Sequence, residues 1–591
     1  MLVLLYQINR WLCALILGIV LVLGRGACLS QEAPADQPAD APPSAMAVLG
    51  AYDVVEPWVR SMSVPEGATG PEVVGACVTL RFDGRVVGVG TVFGAGPATL
   101  PEAARVAIAQ ARDRLPIVDD ALFEDRLRLA ASQITLSLEV AGLGVPVQAE
   151  RYAQVSQTFE PGIDGVALRI GEYAGAVFPA EMLWTSQEAG GALARLVTGM
   201  TGDATLAMKP LAELQDGADI SVLRFRVQHL AQLKPGGHPE FLHRGGRVVP
   251  DASVRSAEGL RQWMEGLASY LIAQRDVGVY LPVNDVVRSG PTPLQRGLRM
   301  YALQRFAALN PDSDLAAAAR QASTSDAQRI MTAWDDGVPV GVPAISLLAG
   351  ALDQGLEVDD AAEVRERVRR ALFESSYSIE SVPVPERPMV LWGLASLGEV
   401  ERAMAIVSVC RRTDSPGDLV GRMPWLGWAE LRLAGQGEVP SAVALREMCQ
   451  TMWTFQLGAN DVGSDGADLM GGIVFTRSRL PLPTWQSARP LAFVATMLGD
   501  PRLTGGSELP EQMTHLLGSL RFLRQLSADD FNSWMYRSPE RWRWGTRAAV
   551  WDQQMPIEAS AMALLTVGET LASLDRLAAN QGGGPGDSEG E

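Results

Sequence analysis

Lysine is nearly missing from this chain: Lys209 and Lys234 are the only two in 591 residues, so its basic side chains are almost all arginine. Histidine occurs four times, cysteine five times, and the formal net charge is −18. Binding a phosphate backbone takes a concentrated basic surface that so acidic a chain does not present, so nucleic acid is not an expected partner. A local arginine cluster can still hold a small anion. Cys13 and Cys28 fall in the N-terminal segment, which leaves Cys77, Cys410 and Cys449. So sparse and odd a set excludes a disulfide framework. A single Cys410–Cys449 bridge stays open beside the simpler reading of three small buried apolar side chains.

Recognisable reaction motifs are also lacking. The glycine-rich "PGGH" and "GAGP" have neither the spacing nor the Lys-Ser/Thr of a phosphate loop, and no G-x-S-x-G elbow occurs. Nucleotide and serine-hydrolase chemistry of those kinds is therefore set aside, and no cofactor or metal is expected. The apolar run "WLCALILGIVLVLG" after Arg10 spans about 14 residues, the size of a signal-peptide core and short for a membrane span. It predicts an export signal over 1–30, with cleavage after Ser30, and a periplasmic or envelope location in a bacterial-type cell. An uncleaved membrane anchor and lipid attachment at Cys28 are the alternatives.

With 47% hydrophobic and 20% charged residues, the composition is globular, and 591 residues exceed what one core holds. Residues 31–47, "QEAPADQPADAPPSAMA", read as a Pro/Ala/Asp linker, and 579–591 as a disordered tail. From 48 to 247 strands and helices mix. Val78, Leu80 and Phe82 alternate with Thr79 and Arg81, Asp83-Gly84 makes a two-residue turn, and Val86-Val87 resume the strand. "TLPEAARVAIAQARDRL" predicts a helix with Thr99 as its cap. Strands are expected around 134–140, 166–170 and 223–227, with a helix near 186–200. The layout is α+β. From 250 to 578 helical periodicity takes over, with ten to thirteen helices expected and no fixed-period repeat. That density suits stacked helical hairpins.

Cys77-Val78-Thr79-Leu80, the Asp83-Gly84 turn and Val86-Val87-Gly88-Val89-Gly90-Thr91 together resemble the AMMECR-type domain. In that family Phe-Val-Thr-Leu leads through a turn to Leu-Arg-Gly-Cys-Ile-Gly-Thr. Asp164-Gly165-Val166, Gly171, Gly175 and Phe178-Pro179 are similar to the family's second conserved stretch. The resemblance spans about residues 60–235 and implies an α+β fold of unsettled biochemical function. Three positions depart from it: Val87 replaces the family's Arg, Val89 its Cys, and Ala180 its Gln. A valine supplies neither a nucleophile nor a metal ligand, so the resemblance implies a degenerate domain whose glycines serve as scaffold. The helical half resembles α/α toroids of the terpenoid-cyclase-like and six-hairpin kind, most of all in "AAVWDQQMPIEASAMALLTVGETLASL".

Several residue groups are candidate sites. His238, Glu240 and His243 in "HPEFLH" lie close together, but a spacing of five with Pro239 between does not set both imidazoles on one helical face, and a loop is expected. Asn460, Asp461, Asp465 and Asp468 suit calcium by donor type and miss the spacing of a calcium loop, so a solvated acidic loop is expected. The Arg-Trp patch "RSPERWRWGTR" suits either an anion or an interhelical salt-bridge face. Asp335, Asp336, Asp552 and Glu558 are acids near tryptophans. They are the candidate catalytic residues if the helical half cleaves a glycan, a reaction that needs two carboxylates facing across a cleft. The sequence predicts a binding or assembly role for an unidentified protein or glycan ligand, with a glycan hydrolase or lyase as the alternative.

Overall fold

The computed structural model describes residues 41–582, except 116, 118–121, 218–219, 378, 380–381, 414, 464, 477–480 and 530–531. The expected signal or anchor, most of the linker and the end of the tail lie outside the described residues. The chain divides into two units, Met1–Gly245 and Gly246–Glu591.

The first unit is an α/β region built on an antiparallel sheet of eight strands. β1 (Val73–Phe82) and β2 (Arg85–Gly96) form the expected hairpin, and Asp83 and Gly84 both take positive φ in its turn. β3 (Ile134–Ala141), β5 (Asp164–Ile170) and β7 (Ile220–Gln232) fall where alternation placed strands, joined by β4 (Val145–Pro146), β6 (Tyr173–Val177) and β8 (Pro239–Leu242). The order is β2-β1-β3-β7-β5-β6, with β4 and β8 also on β7. The sheet curls until its two end strands, β2 and β6, approach each other.

Helices cover the convex face. Ala45–Ser61 starts inside the expected linker, capped by Ser44, and buries Val48, Ala51, Tyr52, Val55 and Val59 at helical spacing. Thr99–Arg114 lies on the hairpin so closely that a Cβ on Gly88 or Gly90 would stand 2.0 or 1.9 Å from the carbonyl oxygen of Ala107 or Ala103. Gly88 and Gly90 are there for that approach. Thr99 is not the cap of this helix: Ala98 holds the N-cap position, and the Thr99 hydroxyl donates to the Gly94 carbonyl at 2.6 Å. A bulge opposite the Leu80–Arg81 step leaves Val87 in the core beneath these helices.

The second unit is helical. Twelve helices of ten or more residues occur among its described residues. Pro293–Leu309 packs on Val342–Asp353, which packs on Arg387–Leu397, then Trp425–Ala434, then Ala488–Leu498, then Ile557–Gly582, which returns to Pro293–Leu309. Ile557–Gly582 is long and apolar enough to cross a membrane by length and composition, yet 83% of its apolar window is buried inside the protein. Three short strands, β9 (Val279–Leu281), β10 (Val286–Ser289) and β11 (Met555–Pro556), tie the start of Pro293–Leu309 to that last helix.

Candidate functional site

The concave face of the curled sheet gathers polar groups in a dry interior. Strand register places Cys77 opposite Glu139 and Thr79 opposite Ser137, and sets Glu139 opposite His229. Because side chains alternate along a strand, Cys77, Thr79, Arg81, Ser137, Glu139 and His229 share one face. None of the six is more than 7% exposed. The short helix Pro179–Thr185 helps cover them: the Ala180 N–H donates to Glu139 Oε1 at 2.9 Å. The Arg81 guanidinium stands 5.0 Å from the centre of the Trp184 ring. Phe93 and Phe178 pack on Phe225 at 4.8 and 5.0 Å and fill the space beside Cys77.

Burial decides the ionisation of this cluster. Desolvation raises the Glu139 carboxyl to about 8, against the opposing Ala180 hydrogen bond and the Arg81 charge. The same cause, with Arg81 nearby, lowers the His229 imidazole to about 3. The Cys77 thiol is pushed far above its ordinary range by burial and by the nearby Glu139. Its sulfur only exchanges weak contacts with the Thr91 and Thr79 hydroxyls. At neutral pH the interior thus holds a protonated carboxyl, a neutral imidazole and a neutral thiol.

Ser137 Oγ lies 2.7 Å from His229 Nε2, the distance of a nucleophile and its base. Burial works against the pair acting as one. A serine-type base must become an imidazolium stabilised by an ionised acid. His229 resists protonation, and burial pushes Glu139, directly across the ladder, toward its neutral form. The second carboxyl oxygen of Glu139 is buried without a hydrogen-bond partner among the described residues.

The acids singled out from sequence each have surroundings of their own in the helical unit. Asp335 and Asp336 are exposed at the end of the helix Ala316–Asp335, where Asp335 pairs with Arg367, itself 4.2 Å from the Trp334 ring centre. Asp552 is half-buried and accepts from the Gln554 backbone at 3.0 Å; Glu558 is half-buried and accepts from Gln295 at 2.8 Å. Burial raises the carboxyl of each. Among the described residues no hydrogen bond or ion pair joins any two of the four. Trp392, Trp425 and Trp428 surround Tyr301 in the core. They are packing residues, not cleft walls.

The other candidate groups also differ from expectation. "HPEFLH" is no loop: Pro239–Leu242 is β8, paired with the free edge of β7. In the acidic segment, Asp461 caps its own turn through the Gly458 N–H at 2.8 Å, and Asp468 is fully buried rather than solvated, near Arg521. No group of three or more His, Cys, Asp or Glu side chains suited to a metal occurs among the described residues. Cys410 and Cys449 are both buried and are not bridged to each other. Of the Arg-Trp patch, Arg547 turns inward and donates to the carbonyls of Gln525, Leu526 and Val550, Arg541 pairs with Asp285, and Arg543 is exposed.

Sequence reasoning missed a polar network across the helical unit. Arg305 bonds Glu569 at 2.7 Å and Gln354 at 2.9 Å, Glu569 meets Thr496 at 3.3 Å, and Thr496 accepts from Trp428 at 2.9 Å. These residues come from four helices and, in Gln354, the end of a fifth, all far apart in sequence, so no local pattern links them.

No protein-family model matches the chain, and no curated protein matches it either. Among solved structures, the uncharacterised protein PH0010 from Pyrococcus horikoshii is similar at 18% identity, over 33% of this chain and 95% of its own, with a TM-score of 0.23.

Proposed function

We propose that this is an exported protein of the cell envelope with a non-catalytic binding or assembly role, carrying a degenerate AMMECR-like domain in its first unit and an α/α toroid in its second. The carrying observation is the state of the concave sheet face. Groups able to do nucleophilic or acid–base work meet there, yet they are dry, closed over and in the wrong protonation state. The place of the family's cysteine is taken by Val89, which packs against the cluster of Cys77, Phe178 and Phe225. The toroid reading is supported by the cyclic order of neighbouring helices, from Pro293–Leu309 round to Ile557–Gly582 and back.

The test is to incubate the full chain with peptidoglycan and polysaccharide fragments and analyse products chromatographically, with binding measured in parallel. Saturable binding without product is expected. Sustained product formation overturns the reading.

One observation favours a second reading, a glycan hydrolase or lyase. Asp552 and Glu558 both have carboxyls raised by burial, the direction of shift that suits a general acid. That reading requires product formation that Asp552→Asn or Glu558→Gln abolishes.

A further inference from the structure

The helical unit contains a basin of about 670 Å³ whose lining differs in kind from the sealed interior of the sheet. One wall is a single face of the helix Ala316–Asp335, presenting Arg320, Gln321, Thr324 and Gln328. Arg275 and Glu357 lie on the rim. Gln304 is the buried member, 3% exposed: its amide donates to the Gln354 carbonyl at 3.0 Å, and its own carbonyl oxygen has no donor among the described residues. A buried acceptor left without a donor costs stability unless something outside the fold meets it. The volume falls in the range of about 300–1,000 Å³ usual for small-ligand sites.

The lining chemistry selects the ligand. The lining contains no aromatic side chain among the described residues, so neither a planar ring nor an apolar tail finds a surface to stack on. Arg275 makes no ion pair among the described residues, and the neighbouring Asp276 pairs with Arg329. Arg320 reaches only the Ala307 carbonyl at 3.4 Å, so both guanidiniums have donors to spare. Guanidinium forks match a carboxylate. Glu357 and the Gln304 carbonyl are acceptors that a bare anion cannot use, whereas hydroxyl groups both donate and accept and can use the mixed lining of amides, hydroxyls and carboxylate.

We infer that this basin binds an acidic oligosaccharide, its carboxylate held by Arg275 and Arg320 and its hydroxyls by Gln304, Gln328 and Glu357. The inference deepens the binding role proposed above by naming a ligand class, and it rests on that reading.

The experiment is calorimetric titration of the full chain with three probes: trigalacturonate, the neutral maltotriose and a tetraglutamate peptide. Saturable binding of trigalacturonate is expected, with maltotriose and the peptide each weaker by at least about tenfold. Arg275→Ala and Arg320→Ala should each cost about tenfold, the scale of one charge-assisted bond. Both arginines are exposed, so the variants should melt with the wild type. Absence of trigalacturonate binding, equal binding of either other probe, or binding unmoved in both variants overturns the inference. These failures leave the binding role itself standing if other envelope fragments bind without turnover. Cleavage of trigalacturonate refutes the non-catalytic reading while leaving the basin in place, provided the two arginine variants lose affinity.

Discussion

Gly90 of β2 lies beneath Ala103 so closely that a Cβ on the glycine would come within 1.9 Å of the Ala103 carbonyl oxygen. The obstacle is helix backbone, which cannot swing aside as a side chain can. Gly90→Ala should therefore push the helix Thr99–Arg114 off the sheet and destabilise the first unit by about 1–3 kcal/mol or more, as overpacked cores do. Gly94, with nothing within 4 Å of an added Cβ, is not a clean control because its φ is +155°. Gly50, in an open helical position, is: Gly50→Ala should be neutral or slightly stabilising in the same urea unfolding experiment.

Cys77 should resist modification in the folded protein. It is 1% exposed and its thiol is held neutral by burial, while reagents such as iodoacetamide attack the thiolate. Site-resolved mass spectrometry after treatment at about pH 8 should find Cys77 unmodified until denaturant is added. Modification of the native chain within minutes would show a reachable, activated sulfur.

Glu139 and His229 should give the first unit opposite pH slopes. The Glu139 carboxyl is raised in the folded state from 4.5 to about 8. Between those values the folded chain holds a proton that the unfolded chain has released, so stability falls as pH rises, by up to about 1.4 kcal/mol per pH unit. His229 is lowered from 6.5 to about 3; there the unfolded chain binds the extra proton, so stability falls as pH drops through that window. Asp164, raised to about 6, adds a fall of the same sign as Glu139 below that pH. The test is therefore a difference: Glu139→Gln, which keeps an acceptor for the Ala180 N–H, should remove the loss of stability between pH 6.5 and 8 and gain on the wild type as pH rises. Parallel wild-type and Glu139→Gln stability curves across that range would reject the buried carboxyl.

Much of the framework was readable because it is local. The hairpin turn at Asp83-Gly84 needs positive φ, and the strands at 134–140, 166–170 and 223–227 show the alternation of a half-buried ladder. The polar cluster was hidden by the same rule. Thr79 and Arg81 alternate with Val78 and Leu80, which reads as a strand with one wet face; the curl of the sheet, set by contacts between β2 and β6, makes that face an interior. His229 sits in a strand of mixed polar and apolar residues and acquires Ser137 as a partner only through pairing 92 residues apart. "HPEFLH" looked like a loop because the edge that recruits it belongs to β7. Thr99 looked like a cap, and the hydroxyl is spent on Gly94 instead.

Arg547 is expected to be a stability residue of the helical unit. Its guanidinium is 1% exposed and donates to the carbonyls of Gln525 at 2.5 Å and of Leu526 and Val550 at 3.3 Å. Arg547→Met removes these charge-assisted bonds, while each carbonyl keeps one further donor, from Asn532, the backbone N–H of residue 547 and Gln553, a loss of about 1.5–3 kcal/mol. Arg547→Lys keeps the charge without the fork and should fall between. Urea unfolding followed by tryptophan fluorescence reads both. A neutral Arg547→Met would mean that the remaining donors satisfy these carbonyls by themselves.

The most direct test of a chemically silent sheet interior is the ring titration of His229, followed by carbon-13 NMR on the native full chain with His229→Gln as the assignment control. Burial away from water keeps the imidazole neutral, so no midpoint should appear from about pH 5 to 8. A His229 midpoint near 6 or 7 would mean that solvent and protons reach Ser137 and its partner, and the non-catalytic account would be contradicted.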